Sequence, residues 1–342
     1  MVGRRLITWS VMAACALAGS ALARAGQGVG QTPSPLPLSQ TIRERGSSVT
    51  GAFEGWFYAK DGSTYALLGY FNRNTKQEFD VPAGQNNRIE PGTPDQGQPT
   101  HFLTGRQWGV FTIKLPKDMV GKKLMWTLVA NGFTNAITIH TQADYIVEPY
   151  EDPANKNTPP VVKFEADGKT FTGPPIAIAA NYAATVGVPL TLTTWVTDEG
   201  PKINIPEPTS RGRGRGRGTG DAAARGDAAA RGDAAAGGGR GGDQAARGRS
   251  NIPPEFQPPP PLAVTWSKFR GPGDVKFDNA KPEIDKGDGG KSTATATFSA
   301  PGDYILRFEA NDSTGPGGGG FQCCWTNAHV AVSVKAASSA GR

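Results

Sequence analysis

The chain has 342 residues, and its 46 glycines and 28 prolines make up over a fifth of it, against roughly 12 per cent in average proteins. Hydrophobic residues are 37 per cent and charged residues 19 per cent, with three cysteines and three histidines; this excludes a coiled coil, a collagen, a polytopic membrane protein and a disulfide-dense miniprotein, and argues against a His- or Cys-rich metal enzyme. The formal charge of +6 sits largely in one stretch, since residues 209–250 hold nine arginines against four aspartates, so the patterned chain is close to neutral and offers no basic surface for nucleic acid.

Residues 1–25 read as a secretory signal. Arg4 and Arg5 precede an apolar run from Leu6 to Leu22, and small-residue cleavage patterns follow at Ala21-Leu22-Ala23 and Ala23-Arg24-Ala25. A membrane anchor and a lipoprotein signal at Met12-Ala13-Ala14-Cys15 are the rival readings. The mature chain is expected to be secreted or periplasmic, with no transmembrane span. Residues 26–45 read as a disordered leader.

From about residue 46 to 150 the apolar residues recur with period 2, the mark of half-buried strands. Phe53 to Tyr58 and Thr64 to Phe71 flank Asp61-Gly62, and Leu124 to Ala130 and Phe133 to Ile139 flank Asn131-Gly132. Such dipeptides between β-rich runs predict hairpins, because a type I′ turn needs positive φ at both central residues. Trp108 to Leu115 also alternates, and residues 82–105 read as a long Pro/Gly loop. The stretch EPYEDPANKNTPP at 148–160 reads as a linker.

Patterning resumes across 158–336, interrupted at 201–261 by Arg-Gly and GDAAAR repeats followed by a proline-rich run. That insertion cannot bury enough apolar area to offset its ordering entropy and is expected to be disordered. Its Arg225-Gly226-Asp227 and Arg231-Gly232-Asp233 tripeptides follow from the repeat composition and read as part of a solvated linker. Its arginines would also suit anionic headgroups or acidic polysaccharide. Seven strands are predicted around it: Ala179–Thr185, Leu190–Thr197, Leu262–Phe269, Val275–Phe277, Ser292–Phe298, Asp303–Asn311 and Ala328–Lys335. The fold class is therefore all-β, with two β-sandwich domains at 46–150 and 158–336.

Gly302-Asp303-Tyr304-Ile305-Leu306 looks like an immunoglobulin tyrosine corner, and Trp266 matches the tryptophan of strand C. The segments LAVTWSKFRGPGDVKF, STATATFSAPGDYILRFEAND and AHVAVSVK resemble bacterial polycystic-kidney-disease-type (PKD) and related Ig-like repeats. The resemblance implies a Greek-key sandwich and says little about function, which this fold hosts in many forms. No inter-sheet cysteine pair is present, so packing alone must hold the two sheets together.

Several groups are candidates for chemistry. Trp56, Tyr58, Tyr70, Asn72 and Arg73 combine aromatic faces with amide and guanidinium donors, which suits stacking on sugar rings. The competing reading packs about half of these rings into the core, because strand side chains alternate. Cys323 and Cys324 are adjacent, and across a trans peptide their Cα atoms would stand about 3.8 Å apart, closer than the roughly 4.4–6.8 Å of ordinary disulfides. Three readings stay open: a vicinal disulfide, one thiol buried beside an exposed one, or a metal or redox site completed by His329. Asp198-Glu199 and Asn311-Asp312 could lie at one end of the sandwich and hold Ca²⁺, or be ordinary Asx turns; no other cofactor is expected. Gly315 to Phe321 reads as a mobile hairpin loop, lacking the Lys-Ser/Thr of a phosphate loop.

The expected function is an exported, non-catalytic protein that binds polysaccharide or another envelope component. An enzyme or enzyme accessory with its site in the N-terminal domain is the first alternative; a pocket gathering His101 with carboxylates would mark it. A redox or metal-handling protein using the vicinal cysteines is the second.

Overall fold

The computed structural model describes residues 42–119, 122–153, 156–200, 262–312 and 323–337. The signal at 1–25, most of the 26–45 leader, the insertion at 201–261 and the glycine loop at 315–321 lie outside the described residues. Residues 43–45 belong to the fold rather than to a leader, because Arg43 N donates to Arg73 O at 3.0 Å and Lys76 N to Glu44 O at 2.9 Å. The architecture is all-β, as the period-2 patterning requires; the helical elements among the described residues are single 3-10 turns at Lys117–Met119, Ala143–Tyr145 and Lys286–Asp288. None of the helices among the described residues is long and apolar enough to cross a membrane.

The N-terminal lobe contains β1 (Val49–Tyr58), β2 (Thr64–Asn72), β3 (Phe79–Asp80), β4 (Asn87–Glu90), β5 (His101–Phe102), β6 (Gly105–Lys114), β7 (Leu124–Ala130) and β8 (Phe133–Ile139). One sheet runs β1-β2-β6, a second β4-β7-β8, and β3-β5 forms a ribbon. Asn131-Gly132 makes the expected two-residue turn: Ala130 pairs with Phe133, and φ is 50° at Asn131 and 78° at Gly132. Asp61-Gly62 does not, for Ala59 N donates to Ser63 O and the hairpin closes over a longer loop. The loop predicted at 82–105 contains β4 and β5. It is pinned by buried Asn87, whose amide donates to Val81 O and Pro99 O while its oxygen accepts from Trp126 Nε1 at 3.0 Å.

The C-terminal lobe contains β9 (Val161–Lys163), β10 (Ile178–Thr185), β11 (Leu190–Thr197), β12 (Leu262–Arg270), β13 (Val275–Phe277), β14 (Lys291–Phe298), β15 (Gly302–Asp312) and β16 (Trp325–Lys335). All seven predicted strands form, joined by β9, in two four-stranded sheets ordered β10-β16-β15-β12 and β13-β14-β11-β9. Trp266, Tyr304, Leu306 and Phe308 are buried in one core. Tyr304 Oη donates to Ala300 O at 2.8 Å, the back-bond of a tyrosine corner.

The two lobes belong to one compact unit spanning Thr41–Arg342. This differs from the sequence reading of a linker at 148–160. Asn157 there is fully buried, and Pro160 O accepts from Thr326 Oγ1. A third apolar cluster joins the lobes, with Phe57, Tyr65 and Leu67 packed on Trp325 of β16. Phe269 of the C-terminal lobe lies in the core of the N-terminal one. Strict alternation therefore fails in β2, where Ala66, Leu67 and Leu68 are all fully buried, because one face meets its own sandwich and the other meets the second lobe.

Candidate functional site

The predicted aromatic platform does not assemble. Tyr70 is in the core and its hydroxyl accepts from Leu103 N at 2.8 Å; burial raises its pKa well above the ordinary phenol value. Asn72 is fully buried, donating to Gln77 O and Phe102 O and accepting from Asn74. Neither residue can face a sugar, because the pairing of β2 turns both inward to close the neighbouring loop. Trp56 is also buried, with Nε1 donating to Gln142 O at 2.7 Å. Arg73 donates to Thr50 Oγ1 at 2.6 Å and covers the Phe71 ring. Of the five, Tyr58 alone keeps an open ring, 58 per cent exposed and edge-on to Trp56. The pairing of β1 with β2 is irregular between Phe53 and Gly55, ahead of Trp56 and Tyr58.

His101 lies between two carboxylates, with Nδ1 3.1 Å from Asp80 Oδ1 and Nε2 3.3 Å from Glu78 Oε2. Lys268 reaches the same Asp80 oxygen at 2.7 Å. Burial works to raise the Asp80 pKa, yet the Lys268 hydrogen bond and the charges of His101 and Lys268 hold it below the usual carboxylate value. Both ring nitrogens face acids, and Lys268 joins the cluster from the other lobe through Asp80.

Cys323 and Cys324 form a disulfide, with their Cα atoms 3.3 Å apart across a cis peptide. Both are buried, which removes the reading of one exposed thiol. His329 does not complete a metal site. Its Nε2 lies 2.9 Å from Val110 O and its ring packs on Phe269 at 4.1 Å. Burial pushes its pKa down to about 3, so the ring is neutral. Among the described residues no group of three His, Cys, Asp or Glu is placed to hold a metal.

The two acidic turns do come together. The Asp198 carboxyl is pushed up to about 6, first by burial and then by the charge of Asp312. Asp198 Oδ1 and Asn311 Oδ1 are buried without a hydrogen-bond donor, while Asp312 accepts from Asn157 Nδ2.

The most ligand-like feature is a cleft that the sequence did not reveal. It holds about 300 Å³, at the lower end of small-molecule sites. Its walls come from four separate places: Lys60 and Asp61 in the β1–β2 loop, Tyr150 after β8, the β9–β10 connection from Lys169 to Ala177 with Ala179 at the start of β10, and Asn327 on β16. Tyr150 is wedged edge-on against Phe57. Burial, then the charge of Glu148, pushes its phenol up to about 12, so it stays protonated. Phe171 is fixed by reciprocal backbone bonds with Val162. Lys60 Nζ stands 5.6 Å from the centre of the Tyr150 ring and Lys169 Nζ 5.4 Å from that of Phe171. The arrangement offers two aromatic surfaces, each with an ammonium over it, on a mainly apolar floor.

This cleft is braced by contacts between the lobes. Arg307 Nη1 donates to Gln107 Oε1 at 2.8 Å, Nη2 to Trp108 O at 3.1 Å, and Nε to Asn327 Oδ1 at 2.7 Å. Asn327 Nδ2 then donates to Gly109 O, and Thr112 Oγ1 to Pro175 O at 2.7 Å. Burial lowers the Arg307 pKa to about 10, still far above neutrality. Two backbone segments of the cleft wall are thereby tied to the opposite lobe.

No protein-family model matches the chain, and no curated protein matches it. Among solved structures, domains 4 and 5 of the S-layer protein SbsC align at 11 per cent identity and a TM-score of 0.20, covering 84 per cent of this chain and 98 per cent of that one. The titin Ig tandem domains align at 7 per cent identity and a TM-score of 0.20, covering 85 per cent of this chain and all of that one. Overlap at that level carries no argument about function.

Proposed function

We propose that this is an exported, non-catalytic β-sandwich protein that binds polysaccharide at the cleft between its lobes. Export rests on the signal-like pattern at 1–25. The observation that carries the binding reading is the pair of aromatic walls, Tyr150 and Phe171, on the same cleft as Lys60, Lys169, Thr170 and Thr172. Sugar rings present an apolar face and a polar rim, and such a cleft offers a partner for each. The binding surface thus moves from the Trp56–Arg73 region to a junction built by distant segments.

The test is a pulldown of the full chain on glycans and cell-wall material, comparing the parent with Tyr150→Ala, Phe171→Ala and Tyr58→Ala. Loss of one stacking ring is expected to weaken retention about tenfold, with Tyr58→Ala unchanged. A parallel chain lacking 201–261 separates the cleft from the arginine tract. Retention that follows the deletion and ignores the ring variants would move binding away from the cleft.

A further inference from the structure

The charge of the ligand can be read from the same cleft, an inference that rests on the polysaccharide reading above. Lys60 and Lys169 are both exposed, and neither ammonium is within ion-pair distance of an acid among the described residues. Most surface lysines gain little from an ion pair and can rest in solvent. Here, however, two of them stand over the rings that would take a sugar's apolar face. Asp61 is the acidic residue in the lining, and its carboxylate is turned to its own loop, accepting from Ser63 N at 2.9 Å and Ser63 Oγ at 3.2 Å. Those bonds, the Ser63 N–H first, lower its pKa and keep it an acceptor already engaged.

Two further hollows share lining residues with the cleft. A depression of about 600 Å³ that shares Asp61 carries Lys114 and Lys117 on its wall. A groove of about 370 Å³ shares Lys169, Phe171 and Ala179 and is lined by β10 residues as far as Tyr182, with Glu165 as the acid in its lining. Three hollows that share lining residues, with Lys60, Lys114, Lys117 and Lys169 among them, suit an extended, repeatedly charged chain better than an isolated anion.

We infer that the cleft selects an acidic polysaccharide, with the exposed Lys60 and Lys169 swinging off the Tyr150 and Phe171 rings to take the carboxylates of uronic acid residues and leaving those ring faces to the sugars. A charge-assisted contact at a ring-stacked position adds selectivity that stacking alone lacks. Binding should therefore weaken with salt, in contrast to a purely stacked neutral glycan.

The test measures affinity of the full chain for polygalacturonate and for a neutral glucan of similar length, at low and high salt, for the parent, Lys60→Gln, Lys169→Gln and the double variant. Both lysines are exposed, so the variants are expected to keep the parent's circular dichroism. The parent should bind the acidic polymer at least about tenfold more tightly than the neutral one at low salt. Each substitution should cost about tenfold for the acidic polymer and little for the neutral one. Equal affinity of the parent for both polymers would overturn the charge selection and leave polysaccharide binding standing. Acid-selective binding that the double variant retains would overturn the role of these lysines and assign the selectivity to the 209–250 arginines. Binding of neither polymer would remove the polysaccharide reading and this inference together.

Discussion

Residue by residue, burial decides which polar groups can act on a ligand and which serve the fold. The Asn72-Arg73-Asn74 run looks like a donor set for a sugar, yet Asn74 accepts from Ser47 N at 2.7 Å and Asn72 closes onto Gln77 and Phe102. Two other groups, half-buried Asp198 and buried His329, make stability depend on pH with opposite signs. Asp198 has a pKa raised to about 6 by burial and the Asp312 charge, so in the window from about 6 down to the ordinary 3.8 the folded chain binds more protons than the unfolded one. Its contribution therefore favours folding as pH falls. His329 is depressed to about 3 by burial and the Arg307 and Arg270 charges, so stability is lost as pH falls from about 6.5, by roughly 1.4 kcal/mol per unit once below it. Asp198→Asn is expected to stabilise the fold at pH 7 by about 1 kcal/mol once solvent screening is allowed for, read as a higher melting temperature, and to lose that advantage at pH 4. His329→Gln, which keeps a donor for Val110 O, should flatten the acid limb between pH 6 and 4. Thermal melts across that range check both; an Asp198→Asn gain that is the same at pH 4 and 7 would contradict the raised Asp198 pKa that burial and then Asp312 impose.

For the elements, β6 and β16 show how two strands from different lobes share one surface. Gly109 lies on β6 with φ at 53°, and a Cβ there would stand 1.9 Å from the Trp325 ring. Its carbonyl accepts from Asn327, and its N–H donates to Glu54 Oε2 at 2.7 Å. Glu54 in turn meets Arg106 at 2.7 Å; burial raises its pKa against the lowering pull of that cation. A side chain at Gly109 would displace Trp325 and strain the backbone at once. Gly109→Ala is expected to cost about 2–3 kcal/mol, read as a drop in the denaturation midpoint, and to loosen the cleft wall at Asn327. The Asn131-Gly132 turn was legible because its chemistry is local. Gly109 was not, since the ring it touches lies more than two hundred residues away in sequence.

For the whole molecule, the junction between lobes is built like an interior. Phe269 and Trp325 bury against the opposite lobe, and Arg270 clamps Asp95 through two nitrogens at 3.0 and 2.7 Å while also reaching Gln98 O. Unfolding the N-terminal lobe alone would strip Phe269 and Trp325 of their cover and Arg307 of its bonds to Gln107 and Trp108, leaving it only its own-lobe partners Glu309 and Asn327. Domains in one chain commonly move and melt separately, but this pair should not. Calorimetry of the full chain is expected to give one transition covering both lobes, and two resolved transitions would show that the junction is weak. The same rigidity serves the cleft, whose aromatic walls belong to segments that only the docked lobes bring into line.

The sequence by itself determined the all-β class, the seven C-terminal strands, the tyrosine corner and the tight Asn131-Gly132 turn. Each is written in short-range periodicity or local turn chemistry, and strand pairing reads that directly. Which aromatic rings stay open, how His101 and His329 are paired, and where the cleft lies were decided only in the tertiary structure. They depend on β2 being covered on both faces and on residues as distant as Lys60, Tyr150, Phe171 and Asn327 lining one hollow. Such contacts are set by how two sandwiches dock, and that docking leaves no periodic trace in the chain.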